Sequence, residues 1–229
     1  MYAERPFAGL ACVWRRVTTS PEVGLVVPDG CTDVMFSSTG ELFVAGPDTV
    51  AHATSSSRPH VLHGVRFGPG VGPAAFGVPG DALRDQRVPL AELWGPTARL
   101  EDALGEAADP GAVLAAEAVR RLRRSPADPL VDPVVSALGV GVGGRVTAAG
   151  LADDLGLSTR QLHRRCLAAF GYGPKVLHRV LRFDRAVRMA RGGVAFAEVA
   201  HRTGYADQAH LSREVRGLAG VPLRQLIRP

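Results

Sequence analysis

The residues whose types and spacing bear on chemistry fall into three groups. The first lies near the front: His52, His60 and His63, with Cys31 and Asp33 upstream. Three neutral imidazoles can hold Zn or Fe, and a metal-dependent, cupin-like enzyme is the alternative that they raise. Strand alternation argues against it, because it sends His60 and His63 to opposite faces, and no His-x-His occurs. His63, in phase with Val61, Val65 and Phe67, reads as a core or pocket histidine. Cys31 and Asp33 share a strand face, and with His63 they are the candidate lining of a small-molecule pocket. No metal site and no cofactor are expected.

The second group is Gly139-Val140-Gly141-Val142-Gly143-Gly144, which spells G-x-G-x-x-G. A dinucleotide site needs a strand before it, a helix opening at the third Gly and an acid about 20 residues on. Residues 132–138 read instead as a short helix, so a turn between helices is the better account. No Ser/His/Asp or Cys/His nucleophile arrangement stands out, and the chain is expected not to be an enzyme.

The third group is repeated. Leu151-Ala152-x-x-x-Gly156-Leu157 recurs as Val199-Ala200-x-x-x-Gly204-Tyr205, and each copy leads into a Leu-x-Arg, Leu162-His163-Arg164 and Leu211-Ser212-Arg213. An apolar-Ala pair packs one helix on the next, the Gly supplies a turn with φ > 0, and the Leu anchors the second helix. That is a helix-turn-helix, present twice. Ser158-x-x-Gln161 is a capping box for the first anchored helix, and Asp207 can cap the other. Between the copies, Val176, Leu177, Val180, Leu181, Val187 and Ala190 fall at helical spacing, which predicts one helix over 174–191, roughly 27 Å long. A rod of that length suits two reading helices in successive major grooves, which recur about every 34 Å.

The elements around these groups follow from turn chemistry and charge. Short β-prone runs at 23–27, 32–36 and 41–45 are separated by Pro28-Asp29-Gly30 and Ser38-Thr39-Gly40, and a fourth runs over 60–67. The Gly- and Pro-rich stretch 68–80 reads as loop, helices are predicted over 97–108 and 111–124, and 125–129 reads as a linker. Residues 1–129 carry twelve Arg against fifteen acids, whereas 130–229 carry fourteen Arg and Lys175 against seven acids. A net charge of +8 on the last hundred residues is the footprint of a phosphate-backbone binder. On the connecting helix, Arg179, Arg182, Arg185 and Arg188 read as a solvated face, and His210 reads equally as a packing residue or a phosphate donor.

At 229 residues the chain holds one large domain or two small ones, and 46% apolar with 21% charged residues excludes a wholly disordered chain. No apolar run approaches the ~20 residues of a spanning helix, so no membrane partner is expected. The first residues lack a secretory signature. Cys12, Cys31 and Cys166 read as reduced thiols, which together give a cytoplasmic expectation. The fold class expected is α+β in two domains. A small antiparallel β sandwich or barrel-like domain (1–95) carries a helical extension and linker (96–129). An all-α domain (130–229) follows, with two helix-turn-helix units joined by a long helix.

Residues 130–229 resemble the paired helix-turn-helix domain of the AraC/XylS transcriptional regulators. The resemblance rests on the unit 151–164, the long connecting helix, Gly204-Tyr205-Ala206-Asp207-Gln208-Ala209-His210-Leu211-Ser212-Arg213 and the tail Gly220-Val221-Pro222-x-x-x-Leu226. Three departures are Leu226 in place of Tyr, Glu214-Val215-Arg216 where an aromatic and a basic residue are usual, and Cys166 where an aromatic usually packs. Val27-Pro28-Asp29-Gly30-Cys31-Thr32-Asp33 and Arg87-Val88-Pro89-Leu90-x-x-Leu93-Trp94-Gly95 resemble an uncharacterised front domain of some such regulators.

The resemblance implies double-stranded DNA as partner, read in two adjacent major grooves by helices near 158–169 and 207–217. It places base-reading positions at Arg160, His163 and Arg164, and at Gln208, Ala209, Ser212 and Arg213. Arg suits guanine, Gln adenine and Ala a thymine methyl, while His donates to a base or a phosphate. For Arg164 and Arg213, phosphate clamping or an ion pair within the domain stays open. A small-molecule effector at the front domain, a homodimer seamed by the helices over 97–108 and 111–124, and RNA polymerase in the case of an activator complete the partners implied.

Overall fold

The computed structural model describes residues 1–139 and 147–227, apart from Ser57. The front half runs β1 (Tyr2–Arg5), β2 (Cys12–Thr18), β3 (Glu22–Val26), β4 (Thr32–Ser37), β5 (Leu42–Ala45), β6 (His52–Ser56), β7 (His60–Phe67), α1 (Gly72–Phe76), α2 (Gly80–Leu83), β8 (Arg87–Pro89), α3 (Leu90–Trp94), α4 (Ala98–Glu106) and α5 (Pro110–Arg124). Six strands form one antiparallel sheet in the order β1-β2-β7-β4-β5-β8. The β2–β7 ladder ends at Thr18 opposite His60 and resumes at Glu22 opposite Ser56, so β3 and β6 extend it as a separate two-stranded arm.

Alternation decides what each face of the sheet does. Val34, Phe36, Val44, Val65 and Phe67 point to one face and are buried with Leu83, Leu90, Leu104, Leu114, Ala115 and Ala118 of the helices. Helices thus cover the face that a second sheet would cover in a full sandwich. The stretch expected as loop over 68–80 holds α1 instead. Pro73 presets its first turn, Phe76 packs edge-on against Phe67 at 5.3 Å, and Gly77 ends it in the left-handed region. Gly and Pro here punctuate a short helix and do not prevent one. The helices expected over 97–108 and 111–124 are α4 and α5. The apolar side of α5 (Gly111, Leu114, Ala115, Ala118) is spent on the sheet, so it is not free to seam a dimer.

The opposite face carries a polar cluster around Arg66. Its guanidinium lies 3.1 Å from Asp33, 3.6 Å from Asp29 and 3.9 Å from Glu4, and Trp14 Nε1 donates to Asp33 at 2.6 Å. Cys31 donates its backbone N–H to Asp29, and burial pushes its thiol pKa well up. His63 pairs across the ladder with Phe36, in phase with Val65, and so stands on the helix-covered face. The pocket expected from Cys31, Asp33 and His63 is therefore not assembled: the sheet separates His63 from the other two. His52 lies on the β3–β6 arm, and His60 is bonded to Ser56 and to the Arg58 carbonyl. Among the described residues no three His, Cys, Asp or Glu gather as metal ligands.

The back half comprises α6 (Val131–Gly139), α7 (Ala148–Asp154), α8 (Thr159–Phe170), α9 (Pro174–Arg191), α10 (Phe196–Arg202), α11 (Gln208–Ala219) and α12 (Leu223–Leu226). It has two cores that share α9: Leu177, Val180 and Leu181 belong to one, and Phe183, Ala186, Val187 and Ala190 to the other. Gly139 ends α6, so a helix precedes the G-x-G-x-x-G stretch; its remaining residues lie outside the described ones. The front domain touches both back units. Arg84 donates to the Gly171 carbonyl at 3.1 Å, Gly80 abuts Gly171 so closely that a Cβ would lie 2.6 Å from its nitrogen, and Ala51 donates to the Leu218 carbonyl at 2.7 Å. No described helix is long and apolar enough to cross a membrane.

Leu114 is fully buried between α5 and the sheet. Leu114→Ala is expected to cost about 2–5 kcal/mol in urea unfolding; a loss under about 1 kcal/mol would show the helix to be loosely held. Burial pushes the Asp33 carboxyl up to about 6, against the pull of Arg66 and the Trp14 hydrogen bond. A folded-state pKa above the unfolded value of about 3.9 gives stability that is full below about pH 4 and lost as pH rises through about 6. Relative to Asp33→Asn, the protein is therefore expected to lose stability over that interval, and a pH-independent difference would contradict the assignment.

Candidate nucleic-acid interface

The first unit is built from α7 and α8. Thr147 caps α7 by accepting from Gly150 N–H, and Gly156 makes the turn at φ +64°. Ser158 and Gln161 form the expected capping box, each accepting from the other's backbone N–H. Helix α8 buries Leu162, Cys166, Ala169 and Phe170. Leu162 and Cys166 meet Leu151 and Ala152 in one core, so Cys166 fills the place of the aromatic with a smaller side chain. Arg160, His163 and Arg164 occupy the opposite, exposed side of α8. The His163 ring leans on the start of α9: a Cβ at Gly173 would fall 2.6 Å from Nδ1.

The second unit repeats this with α10 and α11. Gly204 turns at φ +76°, Tyr205 N–H closes onto the Ala200 carbonyl at 2.9 Å, and Thr203 Oγ1 donates to the Val199 carbonyl at 2.6 Å. Asp207 caps α11 by accepting from His210 N–H at 2.6 Å. Leu211 and Val215 are buried, while Gln208, Ala209, Ser212 and Arg213 are exposed. The Ser212 hydroxyl donates back to the Gln208 carbonyl at 2.8 Å. His210 stands edge-on to Tyr205 at 5.2 Å, and its Nδ1 accepts from Ala206 N–H. That is a packing role.

The positive charge is divided between tied and untied arginines. The four connecting-helix arginines expected as a solvated face are tied, Arg185 among them by donating to the Gly139 carbonyl at 3.4 Å. Arg179 and Arg182 lie 2.9 and 3.6 Å from Glu214, Arg182 stacks on Tyr205 at 4.1 Å, and Arg188 pairs with Asp184. The acid at position 214 supplies the partner of the first two. Arg160, Arg164 and Arg213, by contrast, make no ion pair among the described residues and are exposed.

An open cleft of about 200 Å³ beside Gln208 and Ser212 is lined also by Arg216 and Arg224, both exposed. Sequence reasoning did not single these two out. Their only signal was the net charge, because their place against the second reading helix depends on how α12 folds back after Pro222. The interface can offer guanidinium and amide donors in a solvent-open array, which suits anionic backbone and base edges.

Comparison with known proteins agrees with this geometry. Residues 151–228 match the helix-turn-helix domain family, and residues 8–89 match a domain of unknown function, DUF6597. No curated protein matches the chain. ToxT from Vibrio cholerae, in its P21 crystal form, is similar in fold at 9% identity, with a TM-score of 0.54 over 98% of this chain and 97% of that one. ToxT of strain O395 bound to (E)-4-(8-methylnaphthalen-1-yl)but-3-enoic acid gives 8% identity and 0.53 over 98% and 99%. The C-terminal domain of AraT, a response regulator from Geobacillus stearothermophilus, aligns at 23% identity with 45% of this chain and 88% of its own, at a TM-score of 0.41. Residues 151–228 thus form a helix-turn-helix domain of the AraC type, and a β-rich DUF6597 domain over residues 8–89 stands in front of it.

Proposed function

We propose that this regulator binds one side of duplex DNA, with α8 and α11 in two adjacent major grooves. The observation that carries the reading is the pair of matched units on one helix, each turning an exposed arginine, without an ion pair among the described residues, outward at the same place after its core leucine, Arg164 after Leu162 and Arg213 after Leu211. Arg160, His163 and Arg164 read the first block of bases, and Gln208, Ala209, Ser212 and Arg213 the second. Arg216 and Arg224 grip phosphates beside it. Sequence comes from the groove contacts, and much of the affinity from counterion release.

The front domain is proposed as the control element, and ligand-bound ToxT supports a small-molecule effector there by analogy of fold. Helices over 96–129 bury Leu104, Leu114, Ala115 and Ala118 in the front core, which supports grouping them with residues 1–95 against a reading domain over 130–229. The contacts from Arg84, Gly80 and Ala51 to the back units give a physical route from such a ligand to both reading helices. Self-association would use a surface other than the apolar side of α5. The protein acts without catalysis, in the cytoplasm, and meets RNA polymerase where it activates.

Arg164→Ala and Arg213→Ala are each expected to weaken binding to a preferred duplex by about 1–3 kcal/mol and to relax base preference in one block. Titrations on the preferred and on a scrambled duplex check this. Equal weakening on both would show the arginines to be phosphate clamps, and no weakening on either would remove them from the interface.

A further inference from the structure

We infer that residues 165 and 214 are positioning residues that set the roll of each reading helix, and so decide where its base-contacting side chains point. The inference rests on the DNA-reading function proposed above. Counted from the core leucines Leu162 and Leu211, both residues fall three places on, so they occupy one position of the repeated unit. Arg165 reaches out of α8 to Asp128, with Nε 3.0 Å from Oδ2 and a second bond from Nη2 to Oδ1. Asp128 in turn opens α6, accepting from Leu130 N–H at 2.9 Å. Glu214 reaches out of α11 to Arg179 and Arg182 on α9, and Arg182 lies over Tyr205 in the turn of the same unit.

Each strut therefore ties a reading helix to another element of its own unit, the turn that opens α6 in the first and α9 in the second, at 37 and 35 residues' separation. The charges are reversed between the two units, so neither strut can be satisfied by the other's partner. Strength is not their contribution. Arg165 and Asp128 are 37% and 31% exposed, and such ion pairs add little to stability. Direction is their contribution. Burial of Leu162 or Leu211 is non-directional and does not by itself set a helix's angle about its axis. A charge-assisted bond next to Arg164 or Arg213 fixes that angle.

Site selection from random duplexes, run on the full chain and on Arg165→Gln, Glu214→Gln and Arg165→Lys, tests this. Arg165→Gln is expected to lose about threefold in discrimination within the first block only, Glu214→Gln the same within the second only, and Arg165→Lys to retain most of the first block's discrimination. Equal weakening at both blocks with a lowered Tm would show merely structural ion pairs and overturn the inference, as would unchanged discrimination. Amide hydrogen exchange needs no DNA: Glu214→Gln is expected to speed exchange in 208–219 and not in 159–170, and unchanged rates overturn the inference by themselves. Failure of the unsubstituted protein to select any site would contradict the proposed function and leave the exchange measurement to decide this one.

Discussion

The first half of α9 is buried in the core of one helix-turn-helix unit and its second half in the core of the other, and the geometry of the back domain depends on that sharing. Leu177, Val180 and Leu181 close over Leu151 and Leu162, and Phe183, Ala186, Val187 and Ala190 close over Val199 and Leu211. A helix rises about 1.5 Å per residue and bends little. Two units that share one therefore keep a fixed separation. Each core leucine then sends the other side of its helix outward, which is why Arg164 and Arg213 face solvent.

The front domain adds a second constraint on the same elements. Its α1 and α2 side packs against α8, and the β3–β6 arm ends beside Ala51, whose N–H reaches the last turn of α11. Gly80 and Gly171 meet backbone to backbone, where any side chain would collide. A shift of the front domain by an ångström would have to move both reading helices or break these contacts, since packed interiors yield little. The control by the front domain proposed above would act along this path.

Legibility in the sequence followed local physics. The connecting helix over 174–191 was readable to the residue because its stripe, its Pro174 start and its Gly192 stop agree. The capping box at Ser158 and Gln161, the turn glycines and the outward arginines were readable for the same reason. Strands β1, β6 and β8 were not, because short or exposed strands such as Tyr2–Arg5 take their structure from the neighbour across the ladder. Strand β2 was missed although it is seven residues long and largely buried. The ties of Arg179 and Arg182 to Glu214 were also hidden. They join residues far apart in sequence, and no periodicity records that.

The central claim is that two units on one rigid helix read two blocks at a fixed spacing. Affinity for a selected site, measured while the spacing between its two blocks is changed one base pair at a time, tests it most directly. The account predicts a sharp optimum near one helical turn, about 10–10.5 bp, with loss of the second block's contribution when about half a turn is inserted. An affinity indifferent to spacing would contradict it, because the two reading helices could not then be held by one rod.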